Sequence, residues 1–414
     1  GFFLSLRKKL RIDNLKKCWF PIFLAFIIFS FLFFSSLDTD EFEERFWYCT
    51  APGLVNKLQP VMSGTYYFSH PLLSHFYSGY SILLHNKLDN VIASNDCLDK
   101  PDPIPITEVN RPLVMATRAP HFFLSSLTCL VLFLLLLSLT RSTFLAFLGT
   151  IFYQGYYEIW MRSTFMSYMV PSNFFLLSTI FVFIDQSQSS SLNNHKEGLN
   201  LFLPSFLLAL TNHKAIILPL AVIVKKIIER TAIQKIIKNP IVIGFGLGTL
   251  IWWIYGLSIS AKDFITDHFL YHTFNRVIHI IDIEMGSGYT SLIGLWKEFI
   301  LGFSVPLFII SVVYLFYLLS NREKNILFYW FLIGSFAFSI VDWKQTKHFM
   351  LFVPALIIAL FWLVSKQKKF IRIILVVLIL LFLICNILAD LGLYRPFLPQ
   401  WLYRPNFFPS AGFI

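Results

Sequence analysis

The residues able to do chemistry in this chain stand at the ends of long apolar runs. The stretch Ser35 to Tyr48 closes the first such run and brings Asp38, Asp40, Glu41, Glu43 and Glu44 within a few positions. A carboxylate just outside hydrocarbon, if it faces a cavity, can act as general base toward a hydroxyl or an amine. Asp40 is the candidate base with Glu41 as its substitute, Asp38 is a candidate for substrate contact, and Glu43 and Glu44 read as solvated charge. Other run ends carry cations and histidines: Arg118, Glu158 with Arg162, His213 with Lys214, His268 with Arg276, and Lys344, Lys347 and His348 beside Asp342. Fixed cations near a base suit one task, which is to hold an anionic headgroup such as a phosphate while a nucleophile is activated. Arg118, Arg162, Lys214, Lys344 and Lys347 are the candidate phosphate ligands. His70, Glu158, His213, His268, Arg276 and His348 join Asp38 as candidates for substrate contact.

The bland alternative is weighty for each cation alone, because Arg and Lys at helix ends commonly snorkel to the membrane interface. Lys214 resists it. It interrupts the run from Leu208 to Leu218, where an ammonium is costly to desolvate unless an anion or a water cavity meets it. His70 precedes Pro71, which more often marks a turn or helix start than a catalytic group. No GxSxG, Walker A, HExxH or CxxC pattern occurs, and the ten histidines show no metal-ligand spacing, so no metal is expected.

The elements that must position these residues are membrane helices. Of 414 residues 56% are hydrophobic, only 14% are charged and 47 are Phe, and the mean hydropathy is +0.66. A soluble domain carries about a quarter charged residues, so the chain is expected to be an all-α polytopic membrane protein. Apolar runs place eleven spans near 19–37, 119–139, 142–157, 165–184, 199–210, 215–228, 240–257, 300–319, 326–341, 349–364 and 371–389. The fifth and sixth are short and flank Thr211-Asn212-His213-Lys214, as tilted or broken helices lining a cavity would be. The first run follows a basic segment but no small-residue cleavage site follows it, so it reads as a span and not a signal peptide.

Orientation follows from charge. With the N-terminus inside, the interior segments, counted with the span ends beside them, are 1–18, 140–141, 185–198, 225–239, 320–325 and 365–372. They hold 19 of the 34 Lys and Arg but 5 of the 23 Asp and Glu. That bias is the positive-inside pattern for N-in, C-out. The net charge of +11 is thereby a topology signal and implies no nucleic-acid partner. Residues 1–389 form one transmembrane domain with exterior loops 38–118 and 258–299, and 390–414 form a Pro-rich exterior tail. In the first loop, Tyr66 to Tyr77 reads as an interfacial helix. Cys49 and Cys97 share that loop and are a candidate disulfide pair in an oxidising compartment, whereas Cys18, Cys129 and Cys385 read as packing residues.

Taken in order, these pieces resemble the GT-C membrane glycosyltransferases, in the branch of the protein O-mannosyltransferases and the lipid A aminoarabinose transferase. Asp40-Glu41 is similar to the family's acidic motif after its first span. Tyr66 to Leu73 resembles its aromatic-His-Pro element, and Thr117-Arg118-Ala119-Pro120 the Arg-x-Pro start of its second span. Trp160-Met161-Arg162-Ser163 resembles its Arg segment before the fourth span, and Leu208 to Lys214 its Leu-x-x-Lys turn. Phe338 to Pro354, with Phe-Ser, a Lys, an aromatic residue and a span-opening Pro, matches best as one stretch. The resemblance implies a polyprenyl-phosphate-sugar donor (dolichyl or undecaprenyl), a mannosyltransferase-like inverting transfer on the exterior face, Asp40 or Glu41 as base, and Arg and Lys neutralising the departing phosphate. It implies no obligatory metal or other cofactor. It implies a location in the bacterial inner membrane or the endoplasmic reticulum, with membrane lipid and the lipid-linked sugar as partners. The acceptor, whether protein, glycan or lipid, stays open. Three departures stand out: His213 stands beside the Lys of the turn, the segment just after Arg162 lacks the acidic residue of some members, and where the family continues into a soluble C-terminal domain only 390–414 remain. They keep two alternatives in view, a non-catalytic subunit working with other membrane subunits and a lipid or sugar transporter.

Overall fold

The computed structural model describes residues 61–62, 65–66, 73, 76, 79–80, 111–156, 159, 167–188, 194–274, 292–320, 325–340 and 346–390. Nearly all of them are helical. The first predicted span, the acidic stretch after it, Cys18, Cys49 and Cys97 lie outside these residues.

The helices in chain order are α1 (Arg111–Thr140), α2 (Thr143–Gln154), α3 (Met169–Gln188), α4 (Asn194–Thr211), α5 (Ile217–Ile228), α6 (Ile233–Ile237), α7 (Pro240–Phe264), α8 (Leu292–Phe303), α9 (Val305–Tyr317), α10 (Ile326–Ile340), α11 (Val353–Lys366) and α12 (Lys369–Asp390). Short 3-10 turns, His213–Ile216 and Thr346–Leu351, lead into α5 and α11, and a π-helix, Ile265–Phe274, continues α7. Two stretches of these helices, Arg118–Thr140 and Met169–Gln186, are long and apolar enough to cross a membrane, as is Pro240–Leu270 where α7 and its continuation run together. The chain is an integral membrane protein by these helices and by its exposed apolar faces.

At the centre is α11, buried on every residue from Val353 to Trp362. A helix apolar all round belongs inside a bundle, and Val-Pro-Ala-Leu-Ile-Ile-Ala-Leu-Phe-Trp has no polar face to offer. The surrounding helices turn apolar faces outward, with Ile254 of α7, Val313 of α9, Phe336 of α10 and Ile374 of α12 all exposed. Such faces suit hydrocarbon and not water.

Short connections set the register. Arg141 takes a left-handed conformation (φ 55°) between α1 and α2, and Ser142 caps α2 by accepting the Leu145 N–H. The Cys129 thiol of α1 reaches Gln154 Oε1 at the far end of α2 at 3.6 Å, and Asn173 Nδ2 near the start of α3 donates to the Tyr153 hydroxyl at 3.2 Å. α4 returns antiparallel to α3 and packs along α7. The consequence is two chemically different ends. Arg141, Lys226, Arg230, Lys235, Lys238, Lys366, Lys368, Lys369 and Arg372 lie at one end, with Lys225 paired to Glu229. The start of α1, the start of α3, both 3-10 turns and the π-helix lie at the other.

α4 and α7 pack backbone against backbone. Gly244 and Gly248 stand one turn apart on α7, and an added Cβ would come 2.5 Å from the Phe202 carbonyl oxygen and 2.6 Å from that of Phe206. Small residues four apart let membrane helices approach to backbone contact.

Three boundaries differ from the sequence expectations. The seventh span does not end at 257. Its helix runs on through Phe274 with a kink at Ser260 (φ −157°, ψ 100°). The polar residues Ser258, Ser260 and Asp263 do not stop the helix, because the Ser260 hydroxyl and Asp263 pair at 2.7 Å and restart it. The second exterior segment is therefore helical at both ends. The eighth span is two helices, broken at Ser304 (φ 71°) just before Pro306. Finally, Thr65–Tyr66 pairs antiparallel with Val61–Met62, so Tyr66 opens no interfacial helix. Farther along that predicted helix, Leu73 packs against the bundle core.

Candidate active site

The site forms where α4 breaks. Asn212 leaves helical geometry (φ −159°, ψ 108°), and its side-chain oxygen accepts the Lys214 N–H at 3.0 Å. This is a helix-start cap, and it satisfies a donor that the start of the 3-10 turn would leave orphaned. The capping amide also reaches back to Met169 Sδ of α3 at 3.6 Å. The break turns Lys214 out of the apolar run that surrounds it in sequence.

Lys214 then meets His348. Its Nζ lies 2.8 Å from His348 Nε2 and 5.8 Å from the centre of the Tyr168 ring. The Tyr168 hydroxyl is 3.4 Å from the same imidazole nitrogen. An ammonium has only donors. With Lys214 charged, Nε2 is the acceptor and His348 is neutral, its proton on Nδ1. The turn bearing His348 is held from α10, where Trp330 Nε1 donates to the Leu351 carbonyl at 2.8 Å. Pro354 then opens α11 at a position that needs no N–H.

His213, next to Lys214, faces the π-helix. Its ring meets the His268 ring edge-on at 4.9 Å, and His268 stacks on Phe264 at 4.9 Å with Trp252 5.9 Å away. His268 is only 3% exposed. His213 and His268 thus form an aromatic pair next to Lys214 in the chain.

Arg118 and His121, one turn apart on α1, are both fully buried at 0% exposure. A buried guanidinium is tolerated only where it is paired. Arg118 stands roughly 16 Å beyond Cys129 along α1, which puts it toward the same end of the bundle as Tyr168, Lys214 and His348.

The described structure thus gathers Lys214, His348, His213 and His268, and it places Arg118 at the same end. Lys347 belongs to the 3-10 turn that carries His348. Asp38, Asp40, Glu41, His70, Glu158, Arg162, Arg276 and Lys344 lie outside the described residues. Sequence reasoning missed Tyr168, Asn212 and His121. Asn212 had a signal, since a capping residue in the middle of an apolar run marks a break. His121 had the three-residue spacing from Arg118. Tyr168 had none, because only the tertiary fold brings α3 to the turn before α11.

Chemically, the arrangement offers a fixed ammonium and a buried guanidinium at one end of an apolar bundle. Both are groups whose chemistry suits an anion.

No family model matches the chain, and no curated protein matches it in sequence. Solved structures do match in fold. The crystal structure of ArnT from Cupriavidus metallidurans bound to undecaprenyl phosphate superposes with a TM-score of 0.60 at 13% identity, covering 92% of this chain and 73% of the other. The apo structure of ArnT from Cupriavidus metallidurans gives 0.60 at 12% identity, covering 91% of this chain and 66% of the other. At that identity the likeness is one of fold. The helical membrane fold expected from the sequence is the kind of fold these two structures share with the chain.

Proposed function

We propose that the chain is a glycosyltransferase that moves a sugar from a polyprenyl-phosphate donor to an acceptor, with inversion at the anomeric carbon. The observation that carries the reading is Lys214, an ammonium set in an apolar run, turned out by a capped helix break and held by His348. It sits in a fold shared with a structure that binds undecaprenyl phosphate.

The reaction would run as follows. The lipid tail lies between helices and the phosphate lies near Arg118 and Lys214, joined by Arg162 and by Lys344 or Lys347. Asp40, with Glu41 as substitute, takes the proton of the acceptor hydroxyl or amine as that atom attacks the anomeric carbon. The bond from the anomeric carbon to the phosphate oxygen breaks, and the phosphodiester monoanion leaves as a monoester approaching two negative charges. Fixed cations gain most at that moment, because the charge they face grows toward the transition state. Several cations around a monophosphate supply this without a divalent ion. The active face is the one away from the basic end of the bundle, and so the non-cytoplasmic face by the positive-inside rule. The sugar and acceptor are set by residues beyond this phosphate site.

The test is direct. Protein reconstituted in nanodiscs should bind undecaprenyl phosphate, seen by native mass spectrometry. Lys214→Met should lower turnover of an undecaprenyl-phosphate sugar by about 10²–10³-fold while the protein still folds. Asp40→Asn combined with Glu41→Gln should retain lipid binding and lose transfer. Unchanged transfer in that double variant would remove Asp40 and Glu41 as the base, and unchanged turnover in Lys214→Met would remove the phosphate site.

A further inference from the structure

We infer that His348 is a positioning residue for Lys214: its neutral imidazole, with the Tyr168 ring beside the ammonium, aims that ammonium at the anionic group of the lipid-linked substrate. The inference rests on the glycosyltransferase reading above for what is bound, but not for how Lys214 is held.

Lysine is a poor residue for a fixed charge. Its four-carbon stem has many rotamers, and its three donors rotate freely. At position 214 the freedom is removed in stages. Asn212 fixes the backbone of the residue through the 3.0 Å bond to its N–H. His348 Nε2 takes one ammonium hydrogen at 2.8 Å, a short distance for a bond to a neutral acceptor, and so sets the direction of the other two. The Tyr168 ring lies under the same nitrogen within the reach of a cation–π contact.

The brace is itself rigid. Tyr168 and His348 are buried, at 1% and 7% exposure. The His348 ring packs against Phe338 at 5.6 Å, and its turn is tied to α10 by Trp330. The three elements come from distant parts of the chain, α3, the turn before α5 and the turn before α11, so their meeting is a product of the fold. A histidine suits this post for a second reason. As a neutral acceptor it holds the ammonium without cancelling its charge, whereas a carboxylate there would compete with the phosphate.

The experiment separates positioning from substrate binding. The first reading needs no lipid: the rate at which an amine-reactive reagent labels Lys214, followed against pH by peptide mass spectrometry. Wild type should give a defined titration, His348→Phe should change the labelling rate at least several-fold, and His348→Gln, which returns an acceptor near the Nε2 position, should restore it. The second reading is binding of undecaprenyl phosphate in nanodiscs, expected to fall about tenfold or more in His348→Phe and to recover to within threefold in His348→Gln. Labelling of Lys214 that is the same in wild type and His348→Phe overturns the inference. So does lipid binding lost equally in His348→Phe and His348→Gln with melting temperatures unchanged. Labelling that follows the acceptor while no variant, wild type included, binds the lipid upholds the positioning of Lys214 and overturns the assigned substrate instead.

Discussion

Alanine at Gly244 or Gly248 should drive α4 and α7 apart and carry the damage to the site at their ends. At Gly244 the new Cβ would sit 2.5 Å from the Phe202 carbonyl oxygen and 3.2 Å from the Phe206 nitrogen. At Gly248 it would sit 2.6 Å from the Phe206 carbonyl oxygen and 2.8 Å from the Ala209 Cβ. The obstacles are backbone and cannot rotate away, so the helices must separate by roughly 1 Å to restore ordinary contact. Overpacking of this kind costs about 1–3 kcal/mol. That is a fall of several degrees in melting temperature, at roughly 2–4 °C per kcal/mol for chains of moderate size. Both substitutions are relieved by the same movement, so the double variant should cost less than the two together. Gly246 is the internal control, since nothing lies within 4 Å of its added Cβ. Melting followed by intrinsic fluorescence in detergent would read the stabilities. Lys214 labelling would show the displacement reaching the turn that follows α4. Gly246→Ala melting as low as Gly244→Ala, or Gly244→Ala melting with wild type, would refute the backbone-contact account.

Three further outcomes are expected. Asn212→Ala removes the cap on the Lys214 N–H and should lower stability by about 1 kcal/mol, with faster labelling of Lys214 as the check that the turn has loosened. Trp330→Phe leaves the Leu351 carbonyl without its 2.8 Å donor. It should cost about 1–3 kcal/mol and speed amide hydrogen exchange through Thr346–Leu351 more than through α11. Gly256→Ala places a Cβ 2.1 Å from the Phe264 ring. It should push that ring off His268 and lower the melting temperature more than Gly246→Ala does.

The helical architecture was legible because it depends on apolar runs. The runs at 326–341 and 371–389 match α10 and α12 closely, the run at 119–139 lies within α1, which starts eight residues earlier, and the run around 353–362 was buried because it lacks any polar face. Boundaries failed where polar side chains serve the backbone. Ser258, Ser260 and Asp263 look like the start of a loop, yet Ser260 and Asp263 cap a helix that resumes. Ser304 and Pro306 were a readable break inside a run taken as one span. Lys214 was legible as a charge in the wrong solvent, whereas Asn212 beside it, the cap that turns it out, was missed though its type and place marked a break. The pairing with His348 and Tyr168 was not legible, because residues 46 and 134 positions away in sequence carry no local mark of a shared site.

The kink at Ser260 has a bearing on the lipid around the protein. From Pro240 to Ser260 the helix measures about 31 Å at 1.5 Å per residue, close to the roughly 30 Å of a bilayer's hydrocarbon thickness. With Pro240 at the basic boundary, the bend falls at the opposite one, and the π-helical continuation leaves there with Phe264 and His268. His268 touches His213, and His213 neighbours Lys214. The end that carries Lys214 is thereby set about one hydrocarbon thickness from the basic boundary, so a thinner or thicker bilayer would bear on α7 at its bend.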